Sequence, residues 1–465
     1  MAYARITSAD LARLQEICGA EWVLWGEAIS SDFYHDELSL EGHPPEVVVR
    51  PQTTEQVAEI LAYCWERSIP VTPRGAGTGL CGGAVAIYGG VLLVTDRMDR
   101  ILEIDQENLM AVVEPGVLLM DFQKAVEDVG LFYPPDPGEK TATIGGNVST
   151  NAGGMRAVKY GVTRDWVLGL EAVLPNGQII TCGGKVVKNS SGYSLTDLLI
   201  GSEGTLAVIT KIIVKLLPLP RRQISLLVPF DGLQEAVAAV PKILSSGEIP
   251  AAVEFFQQEI IHAAEKYLGR SFPHSTAPAY LLLTFLGNNL AELERAYTEV
   301  AEVCLAQGAI DVFIANTADR QEGLWECRGA FLEAIKGMGE LDEVDVVVPP
   351  NRIAELVEFA ESLAQEYKLP IVSFGHAGDG NLHIYMLRGE RSREEWLALT
   401  EQAMERIYTE AKRLSGQVSG EHGIGLAKRR YLADSLGPEQ LRLLQSIKAA
   451  FDPKNLLNPG KIISV

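Results

Sequence analysis

The sequence predicts an α+β protein of two domains, and three observations carry that expectation. At 465 residues and 47% hydrophobic content, the chain is too long for a single core. Up to about residue 219 it alternates short apolar runs with glycine-dense loops. From residue 220 a strand–helix–strand–strand–helix–strand order sets in, the ferredoxin-like pattern of an antiparallel sheet with helices on one face.

In the first domain, residues 1–219, EVVVRP reads as a strand. Thr53-Thr54-Glu55-Gln56 then offers a capping box, and Val57, Ile60, Leu61 and Cys64 follow at helical spacing. IPVTP returns to extended backbone and delivers the loop PRGAGTGLCGG. Strands over GGVLLVTDRM and LMAVVEPGV lead to a helix over LLMDFQKAVEDVG and a long loop, YPPDPGEKTATIGGNVSTNAGG. Asn176-Gly177 turns a hairpin within GLEAVLPNGQII, and GTLAVITKIIVKLLPLP closes the domain as an alternating strand with a proline stop.

The second domain, residues 220–415, reads as SLLVPF, helix LQEAVAAVPKILSS, AAVEFF, AYLLLTFLG, helix NLAELERAYTEVAEVCLAQG and IDVFIA. VDVVVP, the helix RIAELVEFAESLAQEYK and IVSFGH extend it. Residues 416–465 end in the Pro/Gly/Asn-rich FDPKNLLNPGKIISV and are expected to return to the first domain.

Composition excludes several function classes. A formal net charge of −21 repels nucleic acid and anionic membranes, so an anionic substrate needs a local cation. The six cysteines have no CxxC spacing, which argues against an iron–sulfur cluster or structural zinc. The first residues read as an amphipathic mixed-charge segment, so no signal peptide is expected, and no apolar run is long enough to span a bilayer. The expected compartment is the cytoplasm.

Gly77-Thr78-Gly79-Leu80-Cys81-Gly82 matches GxGxxG, with Asp96 at a suitable distance. A dinucleotide fingerprint must open a helix, and CGGAVAIYGGVLLV leaves no room for one. TIGGNVSTNAGG and GSEGTLAVIT are two further glycine-dense loops. Glycine permits positive φ and close backbone approach, so exposed N–H groups can ring an anion. Three such loops suit a long, phosphate-bearing ligand.

PRGAGTGLCGG, PPDPGEKTATIGGNVSTNAGG and GSEGTLAVIT resemble the PCMH-type FAD-binding half of the vanillyl-alcohol-oxidase (VAO/PCMH) flavoproteins. With the C-terminal motifs below, nearly the whole chain resembles the D-2-hydroxyacid dehydrogenase branch: D-lactate dehydrogenases, glycolate oxidase catalytic subunits and D-2-hydroxyglutarate dehydrogenases. The resemblance implies a two-subdomain FAD domain with the ferredoxin-like domain as cap. It implies pyrophosphate on Arg74, Gly75, Ala76, Gly77, Thr78 and Gly79. Pro135, Asp136, Gly145, Gly146, Ser149, Asn151, Gly154, Gly161, Glu203, Gly204 and Ile209 would line the rest. Relatives with covalent flavin attach it to a histidine; the glycine loops here hold none, so noncovalent FAD is expected.

Two of only seven histidines lie in GHAGDGNLH, residues 375–383. If Asp379-Gly380 is a two-residue turn, His376 and His383 face each other directly, with Cβ atoms roughly 5 Å apart. SGEHGIG, residues 419–425, adds Glu421 and His422. Two histidines and a carboxylate are a common divalent-metal set with open positions. The branch resembled uses HxGDGNxH and the following Glu-His in this way. On that match His376, His383 and Glu421 are ligands of zinc, manganese or iron, and His422 is the base.

Oxidising a 2-hydroxy acid requires the carboxylate held, the hydroxyl proton removed and a hydride accepted. Arg328, in LWECRGAFLEAIKG, resembles the family's carboxylate-binding arginine, and its planar fork suits that grip. Asn381 is a candidate for substrate or metal-shell contact, and Lys336 a weaker one. Four residues past Arg328, Leu332 stands where dicarboxylate users place a polar residue. Glu340, Asp342, Glu343 and Asp345 make the following segment acidic. Both favour D-lactate or glycolate over 2-hydroxyglutarate. The electrons are expected to leave to an electron-transferring flavoprotein or an iron–sulfur subunit. The alternative is a non-catalytic flavin subunit that relays electrons within a glycolate oxidase-type complex.

Overall fold

The computed structural model describes residues 3–37, 42–272 and 274–464. The chain divides into two compact units: residues 1–152, 162–219 and 422–465 form one, and residues 153–161 and 220–421 the other.

The first unit holds two sheets. Val23–Trp25, Val47–Val49, Val91–Val94 and Val71–Arg74 lie in that spatial order, with the last three strands parallel. Thr53 caps the helix Thr54–Arg67 by accepting from Gln56 N, and Val57, Ile60, Leu61 and Cys64 are its buried residues, as their spacing predicts. They join Val47, Val49, Val91 and Leu93 in one core cluster, each side chain contributing about 1.5–3 kcal/mol of apolar burial. The second sheet is antiparallel: Ile101–Asp105, Met110–Val113, Val208–Lys215, Val167–Val173 and Ile179–Gly183. Its last two strands form the expected hairpin, with Gly177 at φ 84° in the turn.

One expectation fails here. TIGGNVSTNAGG is not all loop: Ile144–Thr150 is a helix, capped by Thr143 accepting from Gly146 N. Burial of Ile144 and Val148 outweighs the helix cost of two glycines.

Asp10 ties the N-terminal helix Ser8–Cys18 to Thr54–Arg67. Its carboxylate accepts from Thr7 N and Oγ1 (2.8 and 2.5 Å), Tyr63 OH (2.6 Å) and Arg67 Nε (2.8 Å). Burial alone would raise its pKa, but the hydrogen bonds from Arg67, Thr7 and Tyr63 outweigh it and hold the carboxyl well below the usual range. A depressed carboxylate stabilises the fold above its unfolded pKa of about 4, and that stabilisation is lost as pH falls through the folded value. Asp10→Asn should therefore cost about 2 kcal/mol at neutral pH. In urea melts, its gap from wild type should close below about pH 4; a constant gap would refute this assignment.

The second unit is built on one antiparallel sheet. Its strands run Phe313–Ala315, Arg222–Phe230, Ala279–Gly287, Ala252–Gln257, Ile371–His376, Asn381–Leu387 and Leu341–Val347. The first four have the ferredoxin-like order, and the last three extend it. Helices cover both faces, not one. All seven residues of Asn381–Leu387 are buried, as are seven consecutive residues of Ala279–Gly287; a sheet packed on one side would alternate. Leu233–Ser245, Leu290–Ala306 and Ile353–Tyr367 are the expected helices. Gln258–Leu268, with Ala318–Gly329 and Phe331–Lys336, packs Ile260, Ile261, Ala264, Leu324 and Phe331 around Phe256, Tyr280, Phe374 and Tyr385. No helix among the described residues is long and apolar enough to cross a membrane.

Candidate active site

The histidines sit where Ile371–His376 and Asn381–Leu387 pair, but the predicted register is corrected by two residues. His376 pairs with Asn381, and Phe374 with His383. The turn has four residues, 377–380, closed by Gly380 N donating to His376 O (3.1 Å). Asp379 Oδ1 accepts from Asn381 N (3.1 Å). Gly380 has φ 87°, and a Cβ there would lie 1.8 Å from Val348 O, so this backbone path requires glycine. A shift of two keeps every side chain on its face. His376 and His383 become diagonal neighbours with ring centroids 5.3 Å apart and planes at 88°.

Glu421 joins them. Its Oε1 lies 3.4 Å from His376 Nε2 and 3.3 Å from His383 Nε2. One ligand atom from each residue falls within 4.8 Å of the others, close enough for one ion to touch all three. The donor set, two imidazoles and one carboxylate, fits a divalent metal with open positions.

Two acids outside the predicted set hold this trio. Glu254 is fully buried in Ala252–Gln257, beside His376 in the ladder. Its oxygens lie 2.7 and 2.9 Å from His376 Nδ1. That leaves Nε2 as the nitrogen facing Glu421, an arrangement of carboxylate behind histidine that is common at metal sites. Burial would lower the pKa of His376, but Glu254 and then Glu421 outweigh it and raise it well above its ordinary value. Burial would likewise raise the pKa of Glu254, and His376 and Arg328 hold it low.

Asp345 is the second acid. Its Oδ2 accepts from Ser419 Oγ (2.6 Å), Gly420 N (3.1 Å) and Glu421 N (3.2 Å), and so aims Glu421. Asn381, expected at substrate or metal, donates Nδ2 to Asp345 Oδ1 (2.7 Å) and Val346 O (3.1 Å). The acidic segment is therefore not a uniform repelling surface: Asp345 faces inward, and Glu340 pairs with Arg388 and Arg393.

Arg328 is buried on Ala318–Gly329, its guanidinium over the rings of Phe331 and Phe374. Its Nε and Nη2 both reach Glu254 Oε2, at 2.8 and 2.6 Å. Lys336 pairs with Glu333 at 3.0 Å. Leu332 packs against the apolar cluster.

In the first unit, the glycine loop 75–79 follows Val71–Arg74. Arg74 is buried and turned onto carbonyls, donating to Asp32 O and His35 O, both at 2.9 Å. A Cβ at Gly75 would lie 2.4 Å from Thr143 Oγ1, and one at Gly145 2.5 Å from Pro115 Cβ. A cleft of about 290 Å³ opens there, lined by Ala76, Gly116, Val117, Asp96 and Thr143. Backbone packed this closely beside a cleft fits a cofactor held largely by main chain.

The other predicted lining residues divide. Ser149 O accepts from Glu203 N (2.8 Å), and Asn151 Oδ1 accepts from Arg164 N (2.9 Å). Asp136 is buried with Gln123 and Lys140 as partners, Pro135 O also accepts from Gln123, and Ile209 is buried in Val208–Lys215. Gly154 and Gly161 belong to the second unit. Glu203 turns its carboxylate to the N–H groups of Ile424 and Gly425, both at 2.7 Å. Gly204 follows it at φ 66°.

Residues 45–183 match the model of an FAD binding domain, and residues 219–462 that of the C-terminal domain of FAD linked oxidases. A D-lactate dehydrogenase of Anaerostipes hadrus is 47% identical over 99% of this chain and 98% of its own. The glycolate oxidase subunit GlcD of Bacillus subtilis is 42% identical over 90% of this chain and 89% of its own. The structure of p-cresol methylhydroxylase with substrate bound superposes with a TM-score of 0.81 at 19% identity, covering 99% of this chain and 98% of that one, which shows the shared fold. The chain belongs to the FAD-linked oxidases, in the D-2-hydroxyacid dehydrogenase branch of the VAO/PCMH flavoproteins.

Proposed function

We propose that this protein oxidises a small D-2-hydroxy acid, D-lactate or glycolate, to its 2-oxo acid. The observation that supports this most is the His376–His383–Glu421 donor set in a chain that also carries an FAD-binding domain. The relatives named D-lactate dehydrogenase and glycolate oxidase subunit agree with it. When bound, noncovalent FAD supplies a hydride acceptor and a divalent metal a Lewis acid.

The chain's own residues supply the remainder. His376 and His383, through Nε2, and Glu421 hold the metal. Arg328, with Nε and Nη2 on Glu254, presents its Nη1 edge to the substrate carboxylate. His422, the residue after Glu421, takes the hydroxyl proton. Leu332, an apolar side chain four residues past Arg328, gives a second carboxylate no partner. The electrons pass to a partner protein, an electron-transferring flavoprotein or an iron–sulfur subunit.

Anaerobic mixing with D-lactate, L-lactate, glycolate and D-2-hydroxyglutarate tests this reading, with flavin absorbance near 450 nm as readout. Bleaching is expected with D-lactate or glycolate, to be lost with a chelator. Bleaching by 2-hydroxyglutarate alone, or unaffected by the chelator, would overturn substrate or metal respectively. His422→Asn should retain FAD and fail to bleach; wild-type bleaching would remove His422 as base.

A further inference from the structure

We infer that Glu203 is a positioning residue for His422, an assignment that rests on the reading of His422 as base. The backbone after His422 is pinned at successive groups within the first unit. Gly423 O accepts from Cys81 Sγ at 3.3 Å. Ile424 N donates to Glu203 Oε1 and Gly425 N to Glu203 Oε2, both at 2.7 Å. Leu426 N and Ala427 N donate to Cys81 O at 2.7 and 3.1 Å, and Gly425 O accepts from Ile462 N at 2.9 Å. Two charge-assisted hydrogen bonds to one carboxylate are the strongest members of this set.

Glu203 is itself fixed from several sides. It is buried, with φ 50°, a conformation that a side-chain-bearing residue keeps only when its surroundings impose it. Its N–H donates to Ser149 O and its carbonyl accepts from Asn458 Nδ2, both at 2.8 Å. The turn is shaped to meet it. Gly423 has φ 82°, and a Cβ there would lie 2.9 Å from Glu203 Oε1; one at Gly425 would lie 2.1 Å from Cys81 O. Two glycines let the backbone close onto the carboxylate. A carboxylate bidentate to the 424–425 amides holds the 422–425 path to one conformation. A base displaced by about 1 Å loses on the order of 100-fold in rate.

On this reading Glu203→Gln changes the oxidation step more than it changes cofactor affinity. The test compares Glu203→Gln, Glu203→Asp, His422→Asn and the Glu203→Gln/His422→Asn double variant. FAD affinity is read by flavin fluorescence and the anaerobic flavin reduction rate by stopped flow, with substrate varied to separate limiting rate from half-saturation. Glu203→Gln should bind FAD within threefold of wild type and reduce it about 10–100-fold more slowly at saturation. Half-saturation should change less than threefold. Glu203→Asp, which keeps the charge, should recover part of the rate. Added to His422→Asn, the Gln substitution should slow nothing further, because residues acting as a unit are not additive. A wild-type rate in Glu203→Gln, with His422→Asn inactive, overturns the positioning role and leaves the base standing. A wild-type rate in His422→Asn overturns the base and this inference together. A Glu203→Gln defect explained by lost FAD overturns the inference in favour of a cofactor contact.

Discussion

His376→Ala and His383→Ala should each lower the maximal rate of flavin reduction by D-lactate on the order of 1000-fold. The flavin spectrum should be unchanged. The size follows from the several kcal/mol that a Lewis acid contributes, at tenfold per 1.36 kcal/mol. The geometry makes the two substitutions equivalent: each histidine Nε2 lies 3.3–3.4 Å from the same Glu421 oxygen, so losing either leaves a two-ligand site. Metal content, measured by mass spectrometry after dialysis, should fall with the rate. A variant that loses metal and keeps its rate would show that the trio is structural. One that keeps metal and rate would show that these residues are not the ligands.

Glu254→Gln should be the most damaging single-atom change in the second unit. Glu254 neutralises Arg328 and orients His376 from a position with no solvent exposure. Removing one member of a buried charge pair costs about 3–5 kcal/mol, because the surviving charge has no water to turn to. Loss of a carboxylate behind a ligating histidine costs about 10–100-fold in metal affinity. Urea denaturation and metal titration read these separately. Full stability would mean that Arg328 finds another partner or remains hydrated. Full metal affinity would mean that the His376 ring needs no help.

The elements that the sequence revealed best were those in which local and tertiary demands agree. The cap at Thr53 and the stripe Val57, Ile60, Leu61 and Cys64 predicted a helix and its buried face together. The histidine hairpin was legible from Asp379-Gly380, but its register was not. Loop length there depends on Gly380 fitting against Val348 O, a contact made by a strand's end far from the turn in the chain. The error of two preserved the face, so His376 and His383 remain side by side.

Glu254 and Asp345 were missed although a signal existed. A lone acid inside an apolar strand, as in AAVEFF or VDVVVP, must be buried and therefore paired. What was hidden is the partner: Arg328 lies 74 residues from Glu254, and His376 lies 122. The helix Gln258–Leu268 was also within reach, since Ile260, Ile261 and Ala264 follow a helical period. The expectation of a sheet covered on one face came from the ferredoxin-like pattern, which has no place for this helix.

The C-terminal residues bear on when the glycine-rich turn after residue 81 becomes braced. Asn458 donates to Gly83 O, and Lys461 to Gly82 O and Val85 O, across 375 residues or more of chain. The glycine-rich turn is thus translated long before its last supports exist. At roughly 5–20 residues per second, the ribosome leaves it unbraced for on the order of half a minute. A chain stalled before residue 458 would lack these three contacts to the 82–85 turn.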